Sequence, residues 1–274
     1  MTIIRKRIAI LGAGNIGSAI ARGFVAAGLL KPADIFLTRR NVSALQEFRD
    51  AGYTVAPDNI AATQKADLLI FAVTPQQLDS LLKEIRGSID PGRHVIVSVV
   101  SGVSISAIQE ELGSKVPVIR VMPNTAIAIR ESMTCIAPGN APAQAVEEVT
   151  KMFDLLGRTR VISESQMVPA TALCACGIAF FLRAIRAASQ GGIEIGFHAE
   201  DALLMAAQTA RGAASLLGQA GNHPEKEVDK VTTPQGCTIS GLNQMEHNGF
   251  SSALIKGILT SAEKAAVLYR PKDG

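Results

Sequence analysis

The chain has 274 residues, 47% apolar and 19% charged, a globular balance with room for one large domain or two ordinary ones. Its 27 basic and 24 acidic residues leave a net charge of only +3, and it has no tryptophan and two tyrosines. That argues against nucleic acid or an anionic membrane as a partner, and it supplies no aromatic platform for bases.

Taken in chain order, the first segment carries Arg5, Lys6 and Arg7 before a short apolar run. The run ends at once in Gly12-Ala13-Gly14, with no cleavage pattern after it. It therefore reads as a first strand rather than a signal peptide, and places the chain in the cytoplasm. Apolar strands are expected over 7–11, 34–37, 68–73, 94–99 and 118–122. Helices are expected between them over 16–27, 42–51, 75–85 and 104–112. Such alternation predicts an α/β Rossmann-type, doubly wound parallel sheet, and runs this apolar suit a sheet covered on both faces. A further strand over 133–137, a helix over 141–156 and a closing strand over 159–162 complete a dinucleotide-binding domain, 1–162. From 163 to 274 strand signals vanish. Ala-rich helices are expected over 169–190, 199–218, 225–231, 238–248 and 251–269, with breaks at Gly191-Gly192 and at 221–224. This second, all-helical domain is rich in small residues that let helices approach closely, which suggests packing against another subunit.

The sharpest local pattern is Gly12-Ala13-Gly14-Asn15-Ile16-Gly17, between an expected strand and an expected helix. In such a turn Gly12 permits the sharp bend. Gly14 lets backbone approach a pyrophosphate, and Gly17 lets helix and strand pack closely. The helix start then favours the anion through its free N–H groups and dipole. At the end of the second strand an NAD enzyme usually carries an acid; here stand Thr38, Arg39 and Arg40. The arginines suit the 2′-phosphate of NADPH, with NADH still possible.

Residues 165–182 form an 18-residue uncharged stretch near the length of a membrane span. Its Ser, Gln, Pro and Thr content favours a buried or interface helix, and no membrane role. Cys135, Cys174, Cys176 and Cys237 match neither a zinc pattern nor C-x-x-C, and read as buried reduced thiols; no metal is expected. His94, His198, His223 and His247 form no constellation, and His223 belongs to a helix-start turn with Pro224.

Several segments together resemble the pyrroline-5-carboxylate reductase family. They are the glycine turn with Ile10-Leu11; Ala72-Val73-Thr74-Pro75-Gln76; Arg120 to Thr125; Gln208 to Ala214; and Val231 to Ile239, the last three being the most specific. The resemblance implies a Rossmann domain followed by a helical dimerisation domain, with active sites built from both chains and dimers joining into rings. It implies hydride transfer from NAD(P)H to the C=N carbon of Δ1-pyrroline-5-carboxylate, giving L-proline. It also implies that Asn59 lies near the adenosine phosphate and that Ala72, Val73, Thr74 and Pro75 line the dinucleotide. Val100, Ser101 and Asn124 would lie near the nicotinamide. Glu164 and the loop Thr233 to Thr238 would meet substrate, with the Thr238 hydroxyl facing the ring nitrogen.

The chemistry is consistent with those residues. A helix start at Gly236-Cys237-Thr238 offers N–H groups to a carboxylate, and one hydroxyl suffices to hold an imine proton. The other reading of Thr238 is a helix N-cap. The chain departs from the family at Thr74, usually Lys. At Cys174 and Cys176 the family usually has Ser, and at Gln235 a Gly; if that backbone needs a positive φ, Gln235 is strained there. At Lys230, usually Asn, the added cation could assist carboxylate binding. Two other functions stay open. One is reduction of another imine or a hydroxy acid, weakened by the lack of a Lys or His proton donor. The other is a catalytically silent NADPH-binding paralogue with a regulatory or interaction role.

Overall fold

The computed structural model describes residues 7–218 and 222–269. Arg5, Lys6 and Gly221, on which expectations above rested, lie outside the described residues. Two compact units emerge: one runs to Cys176 and takes back the chain from Ser261, and the other is Gly177–Thr260.

The first unit is built on an eight-stranded sheet in the order β3-β2-β1-β4-β5-β6-β7-β8. Its strands are β1 Ile8–Leu11, β2 Ile35–Thr38, β3 Thr54–Ala56, β4 Leu68–Phe71, β5 Val95–Ser98, β6 Val118–Met122, β7 Ser132–Ala137 and β8 Gly157–Val161. All neighbours run parallel except β6 and β7, which pair antiparallel. The expected parallel strands are all present. Their apolar character follows from two covered faces: Ile8 and Ile10 point into one buried cluster with Phe24 and Phe153, while Ala9 and Leu11 point into another with Phe71, Leu78 and Leu82. Both edges are modest. β3 has three residues, and β8 carries the exposed Arg158 and Arg160.

Helices α1 Asn15–Ala26, α2 Gln46–Asp50, α3 Asn59–Lys65, α4 Pro75–Ile85, α5 Ile105–Leu112 and α6 Ala143–Asp154 accompany the strands. α4 falls on its expected span because Pro75 opens it and Leu78, Leu81, Leu82 and Ile85 form its apolar face. The helix expected over 42–51 divides instead, its first four residues winding as a 3₁₀ turn. β3 and α3 were not anticipated; the strand is short and half-exposed and the helix barely two turns.

His94 lies just before β5, buried, its Nδ1 accepting the Asp90 N–H at 2.9 Å. Burial, and then the Arg93 charge, hold its pKa below the ordinary 6.5. Folding therefore favours the neutral ring. The stability it contributes is present above 6.5 and is lost as the pH falls below that value, where the unfolded chain takes up the proton first. The melting temperature should decline from pH 6.5 downward, and His94→Gln should flatten that slope; parallel curves for the two proteins would refute the assignment.

After Met167–Ala170 (α7), residues Thr171–Cys176 wind as a π-helix and continue into α8, Gly177–Glu194. Gly191 and Gly192 do not break this helix as expected. The chain turns at Gly196, φ +111°, while Gly192 serves packing: a Cβ there would lie 3.1 Å from that of Ala202. Helices α9 Ala199–Leu217, α10 Pro224–Val231, α11 Cys237–His247 and α12 Phe250–Ala266 follow. The second unit leaves many large apolar side chains exposed in the single chain, among them Phe181 at 61% and Leu204 at 69%. Among the described residues, Glu164–Glu194 is the one helical stretch long and apolar enough to cross a membrane by length and composition, and it is mostly unburied in the single chain.

Candidate active site

Strand order reverses between β1 and β4, and it is outside the carboxyl ends of strands at such a point that open α/β sheets bind ligands. The glycine turn sits there. Gly12 has φ +100°, and a Cβ on it would lie 2.6 Å from Val73 Cγ1 and 2.8 Å from the Ala72 carbonyl oxygen. Gly17 is equally constrained, its Cβ falling 2.6 Å from the Gly12 carbonyl oxygen and 3.2 Å from Ala72 Cβ. Gly14 is different. It is the N-cap of α1 and nothing lies within 4 Å of where its Cβ would be. Two glycines thus close the turn against β4, and the third keeps open the space above the first turn of α1, where Asn15 and Ile16 begin the helix. The cradle fits a pyrophosphate.

The turn is tied to the end of β2. The Thr38 carbonyl accepts the N–H groups of Gly12 at 3.2 Å and Ala13 at 2.8 Å. Arg39 reaches the Ala13 carbonyl at 3.4 Å, and Arg40 is exposed beside it. Asn59, at the start of α3, accepts the Thr38 hydroxyl proton at 2.6 Å. Thr74 precedes Pro75 as the N-cap of α4, and its N–H donates to Gln77 Oε1 at 3.4 Å. Ala72, Val73, Thr74 and Pro75 therefore follow β4 directly, and Ala72 and Val73 lie against the glycine turn.

Val100 is buried and Ser101 half-buried in the turn after β5. Asn124, after β6, is buried and structurally engaged. Its Oδ1 accepts the Ala126 N–H at 3.0 Å, and its Nδ2 donates to the Cys174 carbonyl at 3.2 Å. Glu164 is engaged too: one carboxylate oxygen accepts the Ile105 N–H at 2.7 Å and pairs with Arg120 at 3.0 Å. Arg120 was not anticipated as a functional or structural anchor. A lone charge within an otherwise apolar strand was the available sign.

The thiol reading needs correcting. Cys135 is buried, but Cys174 and Cys176 are half-buried and Cys237 is exposed. The neighbouring Cys135 and Cys174 thiols act on one another: their interaction holds the Cys174 pKa below its ordinary value and, with burial, pushes that of Cys135 up.

In the second unit Gly236 is the N-cap of α11, and Cys237 and Thr238 are its first two residues. Thr238 is therefore not the cap, which overturns that reading, and its side chain is exposed. Gly236 does not offer its own N–H either, because it donates to the Thr233 carbonyl at 3.0 Å. The first-turn N–H groups of Cys237 and Thr238 have no intrahelical acceptor. A Cβ on Gly236 would lie 2.5 Å from Thr233 Oγ1, so this turn demands glycine. Gln235 does adopt the left-handed conformation, φ +59°, an uncommon state for a residue with a side chain. Lys230 pairs with Glu227 at 2.7 Å, so its charge is already partnered.

A glycine cradle at the switch point of a parallel sheet, beside basic residues and with no acid at the end of β2, defines a dinucleotide-dependent oxidoreductase of the Rossmann type. Residues 164–268 match the family model described as pyrroline-5-carboxylate reductase dimerisation, and residues 7–102 match the one described as NADP oxidoreductase coenzyme F420-dependent. The chain is 50% identical to pyrroline-5-carboxylate reductase 2 of Dictyostelium discoideum over 277 residues, 95% of this chain and 92% of that one. It belongs to the pyrroline-5-carboxylate reductase family. It is also 54% identical to pyrroline-5-carboxylate reductase 1 of the same organism over its full length, although it spans only 52% of that relative. The crystal structure of Plasmodium falciparum pyrroline carboxylate reductase with NADP bound shares the fold, with TM-score 0.87 and 23% identity over 97% of this chain and 99% of that one. The dimerisation match accounts for the apolar faces left exposed on the helical unit.

Proposed function

We propose that this chain reduces Δ1-pyrroline-5-carboxylate to L-proline with NADPH, the last step of proline biosynthesis, and that NADH can substitute. The observation that carries this reading is 50% identity along 95% of the chain. Residues 1–162 serve as the dinucleotide-binding domain and 163–274 as the dimerisation and substrate domain. Dimers, assembled further into rings, work in the cytoplasm without a membrane.

When bound, the reduced nicotinamide supplies the hydride for the imine carbon. The protein's part is placement and exclusion of water. Gly12, Gly14 and Gly17 with the start of α1 hold the pyrophosphate, while Thr38, Arg39, Arg40 and Asn59 attend the adenosine end. Ala72, Val73, Thr74 and Pro75 line the path between. Val100, Ser101 and Asn124 shape the nicotinamide end. The first-turn N–H groups of α11, with Thr233 and Gly236 shaping the loop, grip the substrate carboxylate, and Glu164 stands on the substrate side. The Thr238 hydroxyl holds the ring-nitrogen proton. The imine enters protonated as the iminium ion; the hydride adds to its carbon, the C=N π pair returns to nitrogen, and the proton already there stays, so no other acid is required.

Purified protein mixed with NADPH and pyrroline-5-carboxylate should lose reduced-nicotinamide absorbance as proline forms. Thr238→Ala should lower kcat by about 10²-fold, at the low end of what one proton-handling group contributes. Arg39→Ala with Arg40→Ala should raise KM for NADPH and spare NADH. Tight NADPH binding with no turnover would sink the reductase reading.

A further inference from the structure

The end of β2 carries no acid, yet a carboxylate stands two hydrogen bonds away. Thr38 donates its hydroxyl proton to Asn59 Oδ1 at 2.6 Å, and Asn59 Nδ2 donates to Glu84 Oε2, on α4, at 2.9 Å. At the near end of this relay the Gly12 N–H approaches Thr38 Oγ1 at 3.4 Å. Three elements distant in sequence meet here, all within the first unit.

The direction of the relay is set by its far end. A carboxylate can only accept, so it requires the Nδ2 side of the Asn59 amide. Oδ1 must then face Thr38, and Thr38 must give its proton to Oδ1, keeping lone pairs for the Gly12 N–H. One acceptor-only group thus selects one of two amide orientations and one hydroxyl rotamer. Nδ2 has two hydrogens and Glu84 takes one. The second has no partner among the described residues, and Asn59 itself stands beside Thr38 at the end of β2, where an open α/β sheet receives the ribose of a dinucleotide.

We propose that Glu84 is a positioning residue for cofactor affinity: it fixes the Asn59 amide so that a donor, not an acceptor, meets the adenosine ribose or its phosphate. This rests on the dinucleotide reading of the site. The opposite effect is also physically available, since a carboxylate near a 2′-phosphate repels it. The two make contrary predictions.

Glu84→Gln keeps the shape of the side chain but can both donate and accept, so the relay loses its fixed direction. KM for NADPH should rise about three- to tenfold, close to the net worth of one ordinary hydrogen bond. The kcat at saturating NADPH should stay within about twofold and the melting temperature should not move, because Glu84 is exposed. Asn59→Ala should weaken NADPH at least as much, and adding Glu84→Gln to it should do nothing further, because the two act as one unit. An unchanged or lowered KM in Glu84→Gln, with Asn59→Ala still impaired, would overturn the positioning role and leave the cofactor site standing. If neither Asn59→Ala nor Gly14→Ala altered NADPH binding, the cofactor reading would fail and the proposal with it.

Discussion

Replacing Gly12 by alanine is expected to cost both the fold and the cofactor. At φ +100° the backbone sits where a side chain is strained, and the new methyl would lie 2.6 Å from Val73 Cγ1 and 2.8 Å from the Ala72 carbonyl oxygen. Strain of this kind costs about 1–3 kcal/mol before any overlap is counted. Relief requires the turn to move off β4, which also pulls Gly12 and Ala13 away from the Thr38 carbonyl. NADPH affinity should fall by at least about 10²-fold, equivalent to roughly 2.7 kcal/mol. Gly14→Ala makes the informative comparison. Its φ is −82° and the position is open, so the melting temperature should hold while cofactor affinity drops. Calorimetry and fluorescence titration of the two variants separate the outcomes. If Gly14→Ala bound NADPH normally, the open space above α1 would not be the pyrophosphate site.

The second large effect is expected at Glu164. Its carboxylate satisfies the first residue of α5 and neutralises Arg120, whose side chain is only 7% exposed. Glu164→Ala would leave a buried guanidinium without its counter-charge and the Ile105 N–H without its acceptor. Breaking a buried pair this way costs about 3–5 kcal/mol, and because Glu164 itself is 36% exposed the lower end applies. Melting should drop by on the order of 10 °C. Glu164→Gln keeps one oxygen able to accept from both Ile105 N–H and Arg120, while losing the charge and the second acceptor oxygen, so it should recover part of that stability. The conservative variant also tests the substrate role. With the fold largely restored, a raised KM for pyrroline-5-carboxylate in Glu164→Gln would support contact with substrate. An unchanged KM would confine Glu164 to anchoring α5 and Arg120.

How much of this was legible in the sequence follows from the range of the interactions involved. The parallel strands were, because burial on both faces writes itself as uninterrupted apolar runs such as Leu68–Phe71. The glycine turn was, because its demands are local to six residues. β3 was not, since Thr54–Ala56 is three residues long with no apolar run. The π winding of Thr171–Cys176 was not, because the residues that build it also suit an α-helix. The Arg120–Glu164 and Asn59–Glu84 pairings join residues 44 and 25 apart, and no spacing rule announces them. Gln235 was legible only through comparison with the family, where its place belongs to glycine; its φ of +59° lies in the left-handed region that glycine adopts without strain.

The two margins of the β-sheet bear on how copies of this protein meet. A free strand edge invites another chain to add a rung, and short or positively charged edges discourage it. Here one margin offers three residues and the other projects the guanidinium groups of Arg158 and Arg160. Growth by strand addition is thereby disfavoured at both ends, which prevents open-ended stacking. Association is left to the greasy helical surfaces of the C-terminal half, where contact between like copies can close on itself and stop.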